Sequence, residues 1–507
     1  MKRILSLTLV LSIVLVLTSC SAMMPNSKAD GGYMNSNASY APDMSGENIS
    51  SENYTEIQEN EFVNAAQNPN SYFSIDANTA SYPNLRRLIA NGAGYIPKDA
   101  VRVEEMLNYF DYDYDTPTDG SVLSLTASVF DTPYNSETKL MTIGLAAEKV
   151  ELSGVKNNLV FLIDVSGSMY SDNKLPLVQQ AFTMLVENLN PDDRVSIVTY
   201  AGEDAVRLSG AYGYEKQKIT AVIEDLSAGG STAGSAGIKT AYKLAEEYFI
   251  EGGNNRVILA TDGDFNVGTF TNAGLEELIE NKRESGVYLS VYGFGAGNIK
   301  SDKMETLALK GNGTYSYIDS VKEARRALVE GIGGSIVTVA KDVKAGITFN
   351  PEYVESYRLI GYENKLLTED QFNDANTDAG ELGSGHTVTV VYEIVMTDKA
   401  FTEGDSLADV KVRYKPTENV GGDANEVQEL TLKVGTEAYH AELTVTDSFV
   451  AAVVEFALIL RDSAYKADAD INSLVDRLAR LDFANDEFKD EFKKLVGTYR
   501  DLIANNG

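Results

Sequence analysis

The stretch that decides the fold is Asn158–Lys174, with the sequence NLVFLIDVSGSMYSDNK. It opens with a continuous apolar run, as a strand covered on both faces requires. Three side chains that carry oxygen follow at a spacing of two: Asp164, Ser166 and Ser168. Gly167 permits a tight turn between the two serines. The stretch therefore predicts a buried strand that ends in a polar loop.

Strands and helices alternate outward from this stretch, over about residues 156–335. The runs RVSIVTYA, NRVILATDGD and VYLSVYGFG are apolar like the first strand. Between them, apolar residues recur at intervals of three and four, which is the spacing of one helix face. Alternating strands and helices predict the α/β class, with a doubly wound, mostly parallel sheet and helices on both faces.

The segments on either side of this region have a different pattern. Residues 61–155 predict helices and then strands, whereas residues 336–446 alternate with a period of two and predict half-buried strands. Residues 447–507 predict a helical region. We expect the α/β domain to be inserted into one β-sandwich built from both flanks. The alternative is two independent β pieces.

The N-terminus predicts export. Residues 1–19 have a basic start and an apolar run that is too short to span a bilayer comfortably. Leu17-Thr18-Ser19-Cys20 resembles the bacterial lipobox, which implies cleavage before Cys20 and lipidation of its thiol. Residues 20–60 then predict a disordered tether. We expect the chain to touch the membrane through the lipid anchor only, on the extracytoplasmic face. An uncleaved anchor helix is the alternative.

The composition excludes several classes of function. The chain has 43 Lys and Arg against 75 Asp and Glu, a formal net charge of −32, so we expect no nucleic-acid partner. It has two histidines and lacks the G-x-S-x-G, H-E-x-x-H and Walker patterns. We therefore expect no enzymatic activity.

Three loops should meet at one edge of the predicted sheet, because ligands bind at the carboxyl ends of parallel strands. The first carries Asp164, Ser166 and Ser168. The second, Ala228–Gly237, offers Thr232, and the third places Asp262 directly after an apolar strand. Carboxylates and hydroxyls together suit a hard divalent cation. The alternative is that these residues cap the following helix without metal.

This pattern resembles the metal-ion-dependent adhesion site of von Willebrand factor type A domains, which are Rossmann-like. The resemblance implies that Asp164, Ser166, Ser168 and Thr232 ligate Mg²⁺ directly or through water, and that Asp262 acts through a bridging water. Mn²⁺ and Ca²⁺ are expected substitutes. In that family an Asp or Glu carboxylate of a partner protein commonly completes the coordination. The flanking motifs FSIDANTASYPNLRR and DAVRVEEMLNYFDYDY resemble the YfbK-like family of bacterial von Willebrand type A lipoproteins.

The expected function is thus an exported, membrane-anchored lipoprotein that binds a protein partner through magnesium. One alternative is an envelope-assembly scaffold whose site is filled by a group of the same chain. The other is a metal-assisted hydrolase, for which Asp264 is the one candidate general base.

Overall fold

The structure is a computed structural model that describes residues 52–118, 120–150, 155–201, 203–230, 234–263, 272–296, 300–330, 337–423 and 426–506. The predicted signal segment and Cys20 lie outside these residues. Within them, no helix combines the length and the apolar character needed to cross a membrane.

The N-terminal flank contains two short strands before its helices. Its elements are β1 (Val63–Asn64), β2 (Asn70–Ser74), α1 (Ser81–Ala90), α2 (Val103–Asn108), β3 (Leu123–Asp131) and β4 (Lys139–Ala147). The first two strands were not predicted, because their partners lie far along the chain: Val63 pairs with Tyr357, and Phe73 with Ala345.

The end of the predicted tether is part of the folded unit. The Asn60 side-chain amide donates to the carbonyl of Leu359 at 3.0 Å, and the backbone N–H of Ile57 donates to Asp99 at 2.9 Å. The expectation of a disordered segment over residues 20–60 is therefore wrong for residues 52–60. Their polar composition hid these contacts, because the partners are distant in sequence.

The central region is an α/β domain. Its elements are β5 (Asn157–Asp164), α3 (Leu175–Glu187), β6 (Arg194–Ala201), β7 (Glu203–Tyr212), α4 (Lys216–Glu224), α5 (Gly234–Glu247), β8 (Asn254–Thr261), α6 (Asn272–Glu284), β9 (Val287–Phe294), α7 (Ser301–Lys310), β10 (Tyr315–Ile318) and α8 (Val321–Arg325). The sheet order is β10-β9-β8-β5-β6-β7. All neighbours are parallel except β7, which confirms the predicted doubly wound, mostly parallel sheet.

Helices cover both faces of this sheet. All eight residues of β5 are buried. Leu159, Phe161 and Ile163 pack in one core with α3 and α4, whereas Val160 and Leu162 pack in another with α5, α6 and α7. The continuous apolar run that identified the strand therefore follows from burial on both sides.

Strand β7 was not predicted. It runs antiparallel to β6 at the edge of the sheet. Leu208 and Ala211 are buried, but Val206 is half exposed. An edge strand with one solvated face has too few apolar residues to stand out in the sequence.

The C-terminal flank contains the remaining elements. They are β11 (Thr338–Phe349), β12 (Val354–Ile360), α9 (Glu369–Asn373), β13 (Gly380–Gly383), β14 (Thr387–Met396), β15 (Ser406–Pro416), β16 (Gln428–Gly435), β17 (Tyr439–His440), α10 (Val445–Arg461), α11 (Ile471–Ala479) and α12 (Glu487–Asn506).

The two flanks build one sandwich. One sheet has the order β1-β12-β14-β4-β3-β17, and the other has β13-β11-β15-β16 with β2 beside β11. Strand β4 precedes the α/β domain and β14 follows it, yet Ile143 pairs with Val390 between them. The rings of Phe73 and Tyr392 meet between the sheets, with centroids 6.4 Å apart. The α/β domain is thus inserted into a shared sandwich, and two independent β pieces are excluded.

The helical region begins earlier than predicted. The period-two pattern predicted strands as far as residue 446 and helix from residue 447, but β17 ends at His440 and α10 begins at Val445. The Thr444 side chain accepts from the backbone N–H of Asp447, and this capping box fixes the start of the helix. Helices α1, α2 and α10–α12 form a core with Leu140 and Val391 of the first sandwich sheet.

Candidate functional site

The candidate site lies where β5 and β8 end. These strands are parallel neighbours, with Ile163 opposite Ala260. Asp164 is the last residue of β5, and Asp262 directly follows β8. Both carboxylates are almost fully buried. The structure therefore brings together two acidic residues that are 98 positions apart in the sequence.

The loop after β5 folds its polar groups onto Asp164. The backbone N–H of Ser166 donates to Asp164 Oδ1 at 2.8 Å, and the hydroxyls of Ser166 and Ser168 lie 3.0 Å apart. The other carboxylate oxygen, Asp164 Oδ2, is buried and makes no hydrogen bond of normal geometry with any described residue, although the Tyr200 hydroxyl is near enough to lower the pKa of the carboxyl group. A buried carboxylate oxygen in that state is costly unless something else satisfies it.

The electrostatics of Asp164 are unfavourable in the protein alone. Burial raises the pKa of this carboxyl group to about 6, and the nearby charge of Asp262 adds to the increase. Hydrogen bonds from Ser166 oppose the rise but do not cancel it. A bound cation would favour the ionised form and remove this cost.

The second loop is attached to the first by backbone hydrogen bonds. The N–H of Gly229 donates to the carbonyl of Val165 at 2.7 Å, and the N–H of Gly167 donates to the carbonyl of Gly230 at 3.1 Å. Thr232, two residues further on, lies outside the described residues. The chain that leads to Thr232 is therefore at the edge where the sequence placed it.

The structure adds one residue that sequence reasoning missed. Lys174 Nζ donates to Asp262 Oδ2 at 2.8 Å, and both side chains are buried. Lys174 directly precedes α3, and its sequence context gave no sign that its side chain would turn back to β8. No sequence signal would have found this pair, because the two residues are brought together by the tertiary fold.

These residues fit a hard divalent cation. Asp164 offers a carboxylate oxygen without a hydrogen bond, and Ser166 and Ser168 offer neutral hydroxyls beside it. Oxygen donors of this kind suit Mg²⁺ and Mn²⁺. Asp262 differs from the other donors, since an ammonium group already contacts one of its oxygens.

A serine, a histidine and an aspartate do meet elsewhere, on β3, β17 and α10. Ser128 Oγ donates to Asp447 Oδ1 at 2.6 Å, and His440 Nδ1 lies 2.7 Å from Asp447 Oδ2 and 3.1 Å from Ser128 Oγ. A catalytic triad needs the histidine to contact serine and acid through different ring nitrogens. Here one nitrogen contacts both, so this group caps α10 and is not arranged for nucleophilic catalysis.

A second group of acidic side chains was not predicted. Among the described residues, Asp76, Glu105 and Glu305 form a buried group whose carboxylate oxygens lie within 4.8 Å of one another. Lys365 Nζ lies 2.7 Å from Glu305 and 3.3 Å from Asp76. Arg102 lies 3.3 Å from Glu305 and 3.7 Å from Glu105, so two cationic side chains of the same chain already neutralise this group.

A cavity of about 350 Å³ lies between the inserted domain and the flanks. Its lining includes Arg326, Asp111 and His386 and none of the predicted metal ligands. Burial lowers the pKa of His386 to about 4, so this histidine is neutral at physiological pH.

Asp264, the candidate general base, lies outside the described residues.

The fold and the site define the class of protein. Residues 158–329 match the von Willebrand factor type A domain family, and residues 48–142 match a family described as von Willebrand factor. Residues 334–502 match the family described as the C-terminal region of the uncharacterized protein YfbK. The chain is a von Willebrand type A domain protein, and this domain indicates a role in protein interaction or adhesion.

The relatives specify the family further. The chain is 39% identical to the uncharacterized protein YfbK of Escherichia coli K12 over 436 residues, which covers 81% of this chain and 74% of that protein. The chain belongs to the YfbK family.

More distant similarities cover less of the molecule. Human inter-alpha-trypsin inhibitor heavy chain H3 is 26% identical over 275 residues, which is 50% of this chain but only 30% of the human protein. A solved von Willebrand factor type A structure from Catenulispora acidiphila covers 66% of this chain and 78% of its own, at 16% identity and a TM-score of 0.40.

Proposed function

We propose that this protein binds a protein partner through a divalent cation held at the end of β5. Mg²⁺ is the proposed ion, with Mn²⁺ or Ca²⁺ as substitutes. The proposed ligands are Asp164, Ser166, Ser168 and Thr232, with Asp262 acting through water. The observation that carries the proposal is Asp164 Oδ2, which is buried without a normal hydrogen bond beside two hydroxyls.

The proposed partner supplies an Asp or Glu carboxylate. Hydroxyl ligands are neutral, so the protein only partly offsets the charge of a dication, and an external carboxylate can complete its coordination. The net charge of −32 does not attract acidic partners over long distances. Salt limits that repulsion to about 8 Å under physiological conditions, so a contact at the site itself can still form.

We further propose that the chain is exported and anchored through lipidated Cys20 on the extracytoplasmic face of the membrane. The support is the N-terminal sequence, in which an apolar run ends in Leu17-Thr18-Ser19-Cys20. Metabolic labelling with a palmitate analogue tests this. The wild-type chain should be labelled and Cys20→Ala should not. Equal labelling of the two would contradict lipidation at this residue.

We propose a binding role rather than catalysis. The arrangement of Ser128, His440 and Asp447, which is unsuited to a triad, supports this. The hydrolase alternative predicts turnover of phosphoester or peptide substrates that is lost in Asp264→Ala. The scaffold alternative predicts that a carboxylate of this chain, rather than a partner, is found on the ion.

Metal titration followed by capture tests the main proposal. By calorimetry, Mn²⁺ should bind the wild-type chain, and Asp164→Ala should bind it at least about tenfold more weakly. Wild-type protein should then retain a partner from envelope extract in Mg²⁺ but not in chelator. Asp192→Ala is the matched control, because Asp192 is exposed and pairs only loosely with Lys156 at 3.5 Å. Equal binding by Asp164→Ala and Asp192→Ala would overturn the proposed site.

A further inference from the structure

Lys174 and Asp262 form a buried ion pair directly beside the proposed metal ligands. The Lys174 side chain is 8% exposed, the Asp262 side chain is fully buried, and their charged atoms are 2.8 Å apart. Burying two charges costs several kcal/mol per ion before their attraction is counted, so such a pair is weak evidence for a stabilising role. Stabilisation of the fold therefore does not by itself explain why a lysine is buried at this position.

The fold makes room for this lysine. Gly295, at the end of β9, has φ of +75°, and a methyl group there would overlap the aliphatic part of Lys174. The Tyr317 hydroxyl donates to the carbonyl of Gly295 and holds the backbone in place. The aliphatic part of Lys174 therefore packs against the backbone that follows β9, and its ammonium group contacts Asp262.

We propose that Lys174 sets the charge of the metal site and thereby its preference for an anionic partner; this inference rests on the proposed metal-binding function. Among the described side chains at this edge of the sheet, Asp164 and Asp262 with Lys174 leave one net negative charge, so a bound dication retains one net positive charge. An incoming carboxylate then makes the site neutral. Without Lys174, the two aspartates alone neutralise the dication, and an incoming carboxylate adds an unbalanced negative charge.

This role has two opposite consequences. Lys174 weakens the binding of the metal alone, because its ammonium group contacts Asp262 and its positive charge would repel a dication held at the same site. It strengthens the binding of a carboxylate to the metal-loaded site for the same reason. Lys174 is thus a positioning and charge-setting residue and not a metal ligand.

Substitution of Lys174 separates this role from a structural one. Lys174→Met keeps most of the aliphatic side chain and removes the charge, and Lys174→Gln also retains a hydrogen-bond donor. In the full-length protein, both variants should bind Mn²⁺ at least about tenfold more tightly than wild type in calorimetry. Both should also show a larger increase in Tm on addition of Mn²⁺. In these variants the metal supplies the positive charge near Asp262 that the Lys174 ammonium group supplies in the wild type.

A carboxylate probe tests the second consequence. Acetate, compared with chloride at equal ionic strength, should tighten Mn²⁺ binding to the wild-type protein more than to Lys174→Met. Lys156→Met is the control, because it removes the same charge from an exposed lysine. It should behave as wild type in all three measurements.

The outcomes are distinguishable. If the Lys174 variants lose stability but bind Mn²⁺ no more tightly, Lys174 is structural and the inference is overturned, while the metal site stands. An equal effect of acetate on wild type and Lys174→Met also overturns it. If the wild-type protein binds no Mn²⁺, the proposed function fails and this inference fails with it.

Discussion

The environment of Asp164 disfavours the ionised form of its carboxyl group. It is buried, one of its oxygens has no normal hydrogen bond among the described residues, and burial raises the pKa of its carboxyl group to about 6. Side chains in such environments cluster at functional sites more often than elsewhere in proteins. In the metal-free protein, the ionised side chain of Asp164 therefore contributes little to the stability of the fold.

Replacing Asp164 by asparagine should therefore not destabilise the metal-free protein. In chelator at pH 7, we expect Asp164→Asn to raise the free energy of unfolding by about 1–2 kcal/mol, because it removes the cost of a buried charge. The amide oxygen can still accept from the Ser166 N–H. Urea unfolding measures this change, and Mn²⁺ should stabilise the wild type but not the variant. A variant less stable than wild type in chelator would show that the carboxylate is needed for folding itself.

At the scale of elements, α10 shows how one acidic residue defines a helix start. Asp447 accepts from Thr444 and Ser128 and contacts His440. Burial opposes ionisation of this carboxyl group, but these hydrogen bonds outweigh burial and lower its pKa. The ionised form therefore stabilises the folded state at pH values above its ordinary pKa of 3.8.

Asp447→Asn tests this cap. At pH 7 it should lower the free energy of unfolding by about 1–2 kcal/mol, because hydrogen bonds to a charged group are lost. The difference from wild type should shrink as the pH falls below about 4, because the carboxyl group takes up a proton in the unfolded chain there, whereas its lowered pKa keeps it ionised in the folded protein. Denaturant unfolding of both proteins at pH 7 and pH 3 measures the difference. A deficit that is unchanged at pH 3 would mean that the carboxylate charge is not the cause.

Elements also show which sequence signals are reliable. The strands β5, β6, β8 and β9 were predicted because each is apolar on both faces, and α3 because its apolar residues recur at helical spacing. The edge strand β7 and the short strands β1 and β2 were missed. Their structure depends on partners, and β2 pairs with β11 from the opposite flank of the inserted domain.

At the scale of the whole molecule, Arg86 joins three parts of the fold. From α1 it contacts Asp319 at 2.6 Å, Glu323 of α8 at 2.9 Å and Glu491 of α12 at 2.5 Å. Burial opposes ionisation of Glu323, but the charges of Arg326 and Arg86 outweigh burial and lower its pKa. Arg86 thus links the end of the inserted domain to both the N-terminal and the C-terminal helices.

Arg86→Met should destabilise the whole molecule. Removing one partner of a buried ionic group leaves uncompensated carboxylates, and we expect a loss of about 3 kcal/mol. Urea unfolding followed by circular dichroism measures it. Arg500→Met is the control, because Arg500 forms an exposed pair with Asp501, and its effect should stay within about 0.5 kcal/mol. Equal unfolding midpoints for the two variants would show that Arg86 does not hold these parts together.

The sequence by itself determined the α/β class and the position of Asp164 at a strand end. These follow from local periodicity, because burial of one or both faces of an element determines which of its consecutive residues are apolar. Only the tertiary structure decided that the two flanks share one sandwich, that Lys174 pairs with Asp262, that residues 52–60 belong to the folded unit and that Lys365 pairs with the buried acids Glu305 and Asp76. Such contacts connect residues that are distant in sequence, and their side chains meet only once the sheets and helices have packed.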